Sequence, residues 1–321
     1  MNLNHHSLVI VTPVYEDVEA STRLFSELAM QFRGNVFVVA VDDGSVKEPL
    51  DTLGLDKAAV DGVVLRLRRN VGHQRAIAIG LGYVSEHIRE NQRVVVMDSD
   101  GEDLPSTIPA LLEQLAPEGI DVVVAQRKSR VETFKFKAFY TVYKRLFNLM
   151  TGRSISFGNF MALKPGALKR LVVMQELSTH VAASVLASKL RVTVCPLDRG
   201  PRYAGQSKMN FVGLALHGFK GLMVFAEDVL VRVGIACALI AGISVVGALA
   251  AIVLKIIGFS TPGWFSIALG VLVLMFLQTG AVTLMTLMLT GVVRAGSVTT
   301  AVAYHQFVEK VLVPEGSPGE A

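Results

Sequence analysis

The chain has 321 residues, 51% of them hydrophobic and 18% charged, with a formal net charge of +4. It is too apolar for an ordinary soluble protein and too charged for a channel or carrier built of membrane spans throughout, so its apolarity has to be unevenly distributed. The small positive excess does not choose among nucleic acid, anionic lipid and phosphorylated ligands; the position of the charges matters more than their sum.

The N-terminus, Met1-Asn2-Leu3-Asn4-His5-His6, lacks the basic start and long apolar core of a secretion signal. Leu8 to Thr12 and Val36 to Val41 are β-branched runs with an amphipathic stretch from Ser21 to Phe32 between them, which predicts a strand, helix, strand unit. The pattern continues with a strand from Val63 to Leu67, a helix from about Gln74 to Glu90, a strand from Val94 to Met97, a helix from Ser106 to Leu115 and a strand from Asp121 to Ala125. Such alternation predicts an α/β fold, a mainly parallel sheet covered by helices on both faces.

From Met209 to Glu227 the apolar residues Phe211, Leu214, Leu216, Phe219, Leu222, Met223 and Phe225 alternate with His217 and Lys220, the pattern of a helix at a bilayer surface or of a buried core helix. Charge then nearly vanishes between Arg232 and Arg294. Val233 to Leu254 and Trp264 to Val293, separated at Pro262-Gly263, each meet the roughly 20-residue requirement for crossing a bilayer. Two spans return the chain to its starting side. Lys255 is the only charge in the connecting loop, so the positive-inside bias places the large N-terminal part and the tail in the cytoplasm. The expected division is a cytoplasmic domain at 1–208, a juxtamembrane segment at 209–232, a two-helix anchor at 233–293 and a tail at 294–321, disordered from Pro314. Cys195 and Cys237, the second within an apolar span, do not make a disulfide framework and fit a reducing compartment. Small residues such as Gly234, Ala236, Ala238, Gly242 and Gly247 permit close helix association, including between copies of the chain.

In open sheets of this kind ligands bind beyond the carboxyl ends of the strands. Those ends are conspicuously polar here: Asp42-Asp43-Gly44-Ser45 after one strand, Asp98-Ser99-Asp100-Gly101-Glu102-Asp103 after another, and Gln126-Arg127-Lys128 after a third. Carboxylates crowded as Asp98, Asp100, Glu102 and Asp103 are repel one another unless a cation lies between them, and a hard divalent ion, Mg²⁺ or Mn²⁺, suits them; a solvated turn leading to a helix cap at Ser106 has the same spacing. Asp42 and Asp43 offer acceptors for hydroxyls and amides, or form a plain turn. Arg69-Asn70-Val71-Gly72-His73 precedes a helix N-terminus, where phosphate is favoured. Basic residues recur at Arg127, Lys128, Arg130, Lys135 and Lys137, and again at Arg199, Arg202 and Lys208, where cations and a flexible glycine suit a lipid headgroup.

The ordered set Pro13-Val14-Tyr15, Asp42-Asp43-Gly44-Ser45, Arg69-Asn70-Val71-Gly72, Asp98-Ser99-Asp100 with Asp103-Leu104-Pro105, Arg127, and Arg202 through Ser207-Lys208 resembles the inverting family 2 glycosyltransferases, and more narrowly the polyprenyl-phosphate glycosyltransferases. The resemblance covers nearly the whole chain. It implies a GT-A fold in which Pro13, Tyr15, Asp17, Asp42, Asp43, Asn70 and Asp98 bind a nucleotide-sugar, and Asp98, Asp100 and Glu102 surround the metal. It further implies that Asp100, Glu102, Asp103 and Arg127 serve catalysis, while Arg127, Lys137, Arg202, Ser207 and Lys208 meet phosphates of acceptor or donor. The chain departs from the family's Asn-Glu after the first tyrosine with Glu16-Asp17, and from its glutamine in the metal motif with Glu102; both substitutions keep oxygen ligands.

The implied partners are a nucleotide-sugar donor, a polyprenyl phosphate acceptor and membrane lipids, not nucleic acid, and the implied reaction is direct displacement with inversion. A phosphate monoester with a second pKa of about 6 is already largely dianionic near neutral pH and needs no strong base. A hydroxyl acceptor would need one, with Asp103 or Glu102 available. A non-catalytic nucleotide-sugar-binding scaffold is the reading from a different class.

Overall fold

The structure is a computed structural model that describes residues 3–127, 134–203, 211–259, 261, 263–296 and 304–314. The chain forms two compact units, one of residues 1–141, 155–224 and 300–321, the other of residues 142–154 and 225–299.

In the first unit the β-branched runs become β1 (Leu8–Val14) and β2 (Val36–Asp42), buried along their whole length. Between them lies α1 (Val18–Phe32), whose first turn is capped by the Asp17 side chain. Then follow α2 (Leu53–Ala58), β3 (Asp61–Leu67), α3 (His73–His87), β4 (Arg93–Val96), α4 (Ile108–Leu115) and β5 (Val122–Arg127). Every strand and helix expected up to this point is present, with ends displaced by at most three residues.

Beyond it come elements for which periodicity gave no reading: α5 (Phe134–Thr151), β6 (Met161–Leu163), α6 (Pro165–Val172), α7 (Val181–Ala187) and β7 (Val192–Leu197). A strand of three residues, as β6 is, is too short to show alternation. α8 (Phe211–Met223) ends this stretch, and β8 (Val308–Leu312) rejoins the unit from within the segment 294–321 that the sequence reading left as a tail.

The sheet runs β7-β5-β6-β4-β1-β2-β3-β8. β6 is antiparallel to β4 and β5, and β8 to β3, while the other pairs are parallel. With β8 set aside, this order and its one reversed strand form the GT-A arrangement. Successive strand residues face opposite sides, so Val9 and Val11 pack under α3, α6 and α7, whereas Leu8 and Ile10 pack against α1, α2 and α4. β1, β2, β4 and β5 all end on one edge, and the reversal of β6 brings Asn159 and Phe160, which enter it, to that same edge.

The second unit contains α9 (Ala226–Ile256) and α10 (Trp264–Gly296). α9 starts at Ala226 rather than Val233 because Glu227 and Asp228 suit the positive end of a helix. Its 31 residues extend about 46 Å, more than the ~30 Å of a bilayer's hydrocarbon core. Both helices are long and apolar enough to span a membrane, and they leave Ile235, Leu239, Ile243, Leu274 and Leu287 exposed. A Cβ on Gly234 would lie 2.9 Å from Thr286, and one on Gly247 3.1 Å from Leu272, so the pair is antiparallel and its small residues set the close approach.

Candidate active site

The aspartates that end β2 hold loops in place. Asp42 is fully buried; its Oδ1 accepts from the Ser45 N–H at 3.0 Å and its Oδ2 from the Leu50 N–H at 3.1 Å, with the Arg66 guanidinium 3.8 Å away. Asp43 accepts from the Val71 and Gly72 N–H groups at 2.7 and 3.0 Å, which ties the end of β2 to the start of α3. Burial raises its carboxyl above the usual range against those two bonds. Gly44, at φ +67°, passes so close to Arg69 that a Cβ would fall 2.4 Å from its carbonyl carbon.

At the end of β1, the buried Pro13 accepts at its carbonyl from the Ser99 hydroxyl, and Tyr15 is 44% exposed at the edge. Glu16, in the left-handed region at φ 48°, gathers the N–H groups of Val46, Lys47 and Glu48 on its carboxylate, and these bonds lower its pKa. Asp17 accepts from Ala20 N–H as the cap of α1. Asn70 is exposed.

The acidic loop after β4 is the centre of the site. Asp103 Oδ2 accepts from the Asp98 N–H at 3.0 Å, and Asp100 Oδ1 from the Glu102 N–H at 3.0 Å, so the loop closes on its own carboxylates. Asp98 Oδ1 faces His73 Nε2 at 3.2 Å, but it is a buried atom that accepts no hydrogen bond of good geometry. Burial works against the Asp98 charge, yet His73, Arg199 and Arg127 outweigh it and lower its pKa. The reverse holds for its neighbours: burial and the Asp98 charge raise Asp100, and push Asp103 well above the carboxylate range.

Guanidinium groups from the segment after β7 answer these carboxylates. Arg202 Nη2 lies 2.9 Å from Asp100 Oδ2 and its Nε 3.2 Å from Glu102 Oε1, while Arg199 pairs with Glu102 Oε2. Gly200 N–H donates to the Glu102 carbonyl at 3.0 Å and Tyr203 N–H to the Asp100 carbonyl at 2.9 Å, which lays this segment along the acidic loop. His73 also meets Asn159 Nδ2 at 3.1 Å, the residue delivered by the reversal of β6.

The expected residues Asp98, Asp100, Glu102, Asp103 and Arg202 therefore share one edge, with Arg127 at the exposed end of β5 close enough to act on Asp98 and Asp103. Among the described residues no three His, Cys, Asp or Glu side chains form a ready metal cage, and Glu102, assigned to the metal by the family resemblance, is engaged by two arginines. The Lys137 side chain lies outside the described part of α5, and Ser207 and Lys208 lie outside the described residues. His73, Arg199 and Tyr203, which lie in stretches the sequence singled out but were given no role there, join the site as well. Arg199 carried a signal in the basic group it forms with Arg202, and Tyr203 in its place beside Arg202, but what each meets depends on the tertiary packing.

The fold and the charged carboxyl edge agree with what the family model then shows. The sequence model of glycosyl transferase family 2 matches residues 9–176, more than half of the chain, and the chain belongs to that family. It is 28% identical over 217 residues to an undecaprenyl-phosphate 4-deoxy-4-formamido-L-arabinose transferase of Enterobacter sp. (strain 638), a match covering 65% of this chain and 64% of that protein's length. It is 27% identical to the uncharacterized glycosyltransferase YkcC of Bacillus subtilis (strain 168), over 82% of each chain. Among solved structures, glucosyl-3-phosphoglycerate synthase from Mycobacterium tuberculosis, in complex with Mn²⁺, UDP-glucose and phosphoglyceric acid, aligns with a TM-score of 0.49 and 16% identity over 71% of this chain and 79% of that one.

Proposed function

We propose that the protein transfers a sugar from a nucleotide-sugar, UDP- or GDP-linked, to a polyprenyl phosphate such as undecaprenyl phosphate at a membrane surface, with inversion at the anomeric carbon. The observation that carries this reading is the meeting of the Asp98–Asp103 loop with Arg127, Arg199 and Arg202 at one edge of the sheet. The printed name of the Enterobacter relative supports the acceptor.

A divalent ion fits this loop, because Asp98 Oδ1 is a buried oxygen without a well-formed hydrogen bond and the carboxyls of Asp100 and Asp103, raised by burial and by the Asp98 charge, crowd beside it. Asp98 and Asp100 would hold it, with Glu102 joining if its arginines moved to phosphate. Mg²⁺ or Mn²⁺ there supplies neutralisation of the departing diphosphate's charge. Asp43 and Asp42 hold the strand-end loops that shape the nucleotide pocket, with Pro13, Tyr15, Asp17 and Asn70 around it. Arg127, with Lys137, orients the acceptor phosphate, and Arg202, with Ser207 and Lys208, binds phosphate oxygens. An acceptor phosphate oxygen forms the new bond to the anomeric carbon while the bond to the diphosphate breaks and its electron pair leaves with the nucleotide. Positioning and charge stabilisation supply the rate.

α9 and α10 anchor the chain in the inner membrane, and α8, whose Leu216, Phe219 and Met223 are exposed beside Lys220, rests on its cytoplasmic surface. Two crossings return the chain to the side it left, and Arg232 and Arg294 on that side against Lys255 in the connecting loop support a cytoplasmic catalytic part and cytoplasmic termini. A hydroxyl acceptor is the second reading; it would need a general base, and the carboxylates of Asp103 and Glu102 stand in the same loop for that role.

The test is transfer of labelled sugar from a panel of UDP- and GDP-sugars to undecaprenyl phosphate in detergent, with and without Mg²⁺ or Mn²⁺. Metal-dependent lipid-linked product is expected. Donor consumption without lipid product points to a hydroxyl acceptor, and no donor binding at all leaves a non-catalytic scaffold.

A further inference from the structure

Tyr203 joins three parts of the first unit. Its hydroxyl donates to Glu27 Oε2 on α1 at 2.6 Å, and Arg23, one turn earlier on that helix, lies 3.2 Å from Glu27 Oε1 with its guanidinium carbon 4.3 Å from the tyrosine ring centroid. The ring covers Gly101 inside the acidic loop, where φ is +87° and a Cβ would fall 2.7 Å from ring atoms. The backbone of Tyr203 is bonded to Asp100, and that of Gly200 to Glu102. Burial and the adjoining Glu27 carboxylate raise the phenol's pKa, so it stays a donor across the physiological range.

Arg202 lies between the two pinned amides, with its guanidinium at Asp100 and Glu102. An arginine on an untethered segment would have to be ordered each time it met a phosphate, at the entropic cost of backbone and side chain. Here that ordering is built into the fold, through a side chain that bonds to Glu27 on α1 and covers Gly101.

We propose that Tyr203 is a positioning residue for donor binding: a latch, closed on Glu27 and Gly101, that holds residues 199–203 along the acidic loop and so keeps Arg202 where a nucleoside diphosphate would be gripped. The inference rests on the reading of this loop as the diphosphate site. Tyr203→Phe removes the bond to Glu27 but leaves the ring over Gly101, and Glu27→Gln weakens the same bond from the other side.

The experiment is calorimetric titration of the full chain in detergent with UDP and GDP in the presence of Mn²⁺, using the native protein, Tyr203→Phe, Glu27→Gln, Arg202→Ala and the Tyr203→Phe, Arg202→Ala double variant, with the melting temperature of each recorded. Both single latch variants should weaken nucleotide binding about five- to tenfold, the scale of one lost hydrogen bond, with little change in melting temperature. In the Arg202→Ala background Tyr203→Phe should cost nothing further, which a merely structural tyrosine would not show. Unchanged affinity in Tyr203→Phe, or an equal loss in both backgrounds, overturns the latch. If the native protein binds neither nucleotide, the diphosphate reading fails first and the latch with it.

Discussion

Asp42 and Asp100 each follow a buried strand run, yet Asp42 has both oxygens engaged by backbone N–H groups, whereas Asp100 has its pKa raised by burial and by Asp98. The same carboxyl group is scaffold in one place and, in the function we propose, reactive edge in the other. Asp42→Asn should lower unfolding stability by about 1–3 kcal/mol, because the amide cannot accept on both sides and Arg66 loses its counter-charge. Asp100→Asn should change the melting temperature less, since burial and the Asp98 charge offset what its pairing with Arg202 contributes, while sugar transfer falls at least ~100-fold. Thermal unfolding beside a transfer assay separates the two, and a large stability loss in Asp100→Asn would contradict this assignment. Glu16 belongs with Asp42: its three backbone bonds make it a loop clamp, a role its sequence position alone did not show.

At the scale of the element, α7 carries a pH dependence. His180 caps it, accepting from the Ala183 N–H at Nδ1, and its ring stacks on His217 of α8 with centroids 4.4 Å apart. Burial, then the His217 charge and Lys220, lower its pKa to about 3. The folded protein thus keeps this imidazole neutral while the unfolded chain protonates it near pH 6.5, so its contribution is complete above that pH and is lost progressively toward pH 3. About 1.4 kcal/mol should be gone by pH 5.5. His180→Asn keeps a capping acceptor without the titration and should flatten stability between pH 6.5 and 4.5; an unchanged slope would place the dependence elsewhere. The α9–α10 pair offers a packing test. Gly234→Leu should destabilise the pair in detergent by about 1–3 kcal/mol through collision with Thr286, and Gly242→Leu, with open space at its Cβ, should not.

At the scale of the whole molecule, the chain leaves its first unit through α9, returns through α10, and finishes by pairing β8 with β3. Tyr304 and His305, just before β8, bond to Glu86 at the end of α3, and the Tyr304 ring lies against Gly82. Deleting residues 304–321 should expose the β3 edge and lower the melting temperature by at least about 5 °C, with more aggregation as the unpaired strand finds other partners. Light scattering during a thermal scan checks both. An unaffected melting curve would mean that β8 contributes little to the sheet.

The sequence alone determined the parts whose signal is local. Buried strands announce themselves as β-branched runs, two span-length helices as long apolar stretches, and the candidate site as the polar residues where each run stops, so the α/β order and the positions of the Asp98–Asp103 loop and Arg202 were legible before any coordinates. What only the tertiary structure decided were the partners. That Glu102 is held by Arg199 and Arg202, that Asp42 turns inward, that Tyr203 reaches Glu27 and that β8 closes the sheet all depend on contacts between residues far apart in the chain. Periodicity reports which face of an element is buried; it does not report what lies opposite, and the charge a carboxylate keeps is set by what lies opposite.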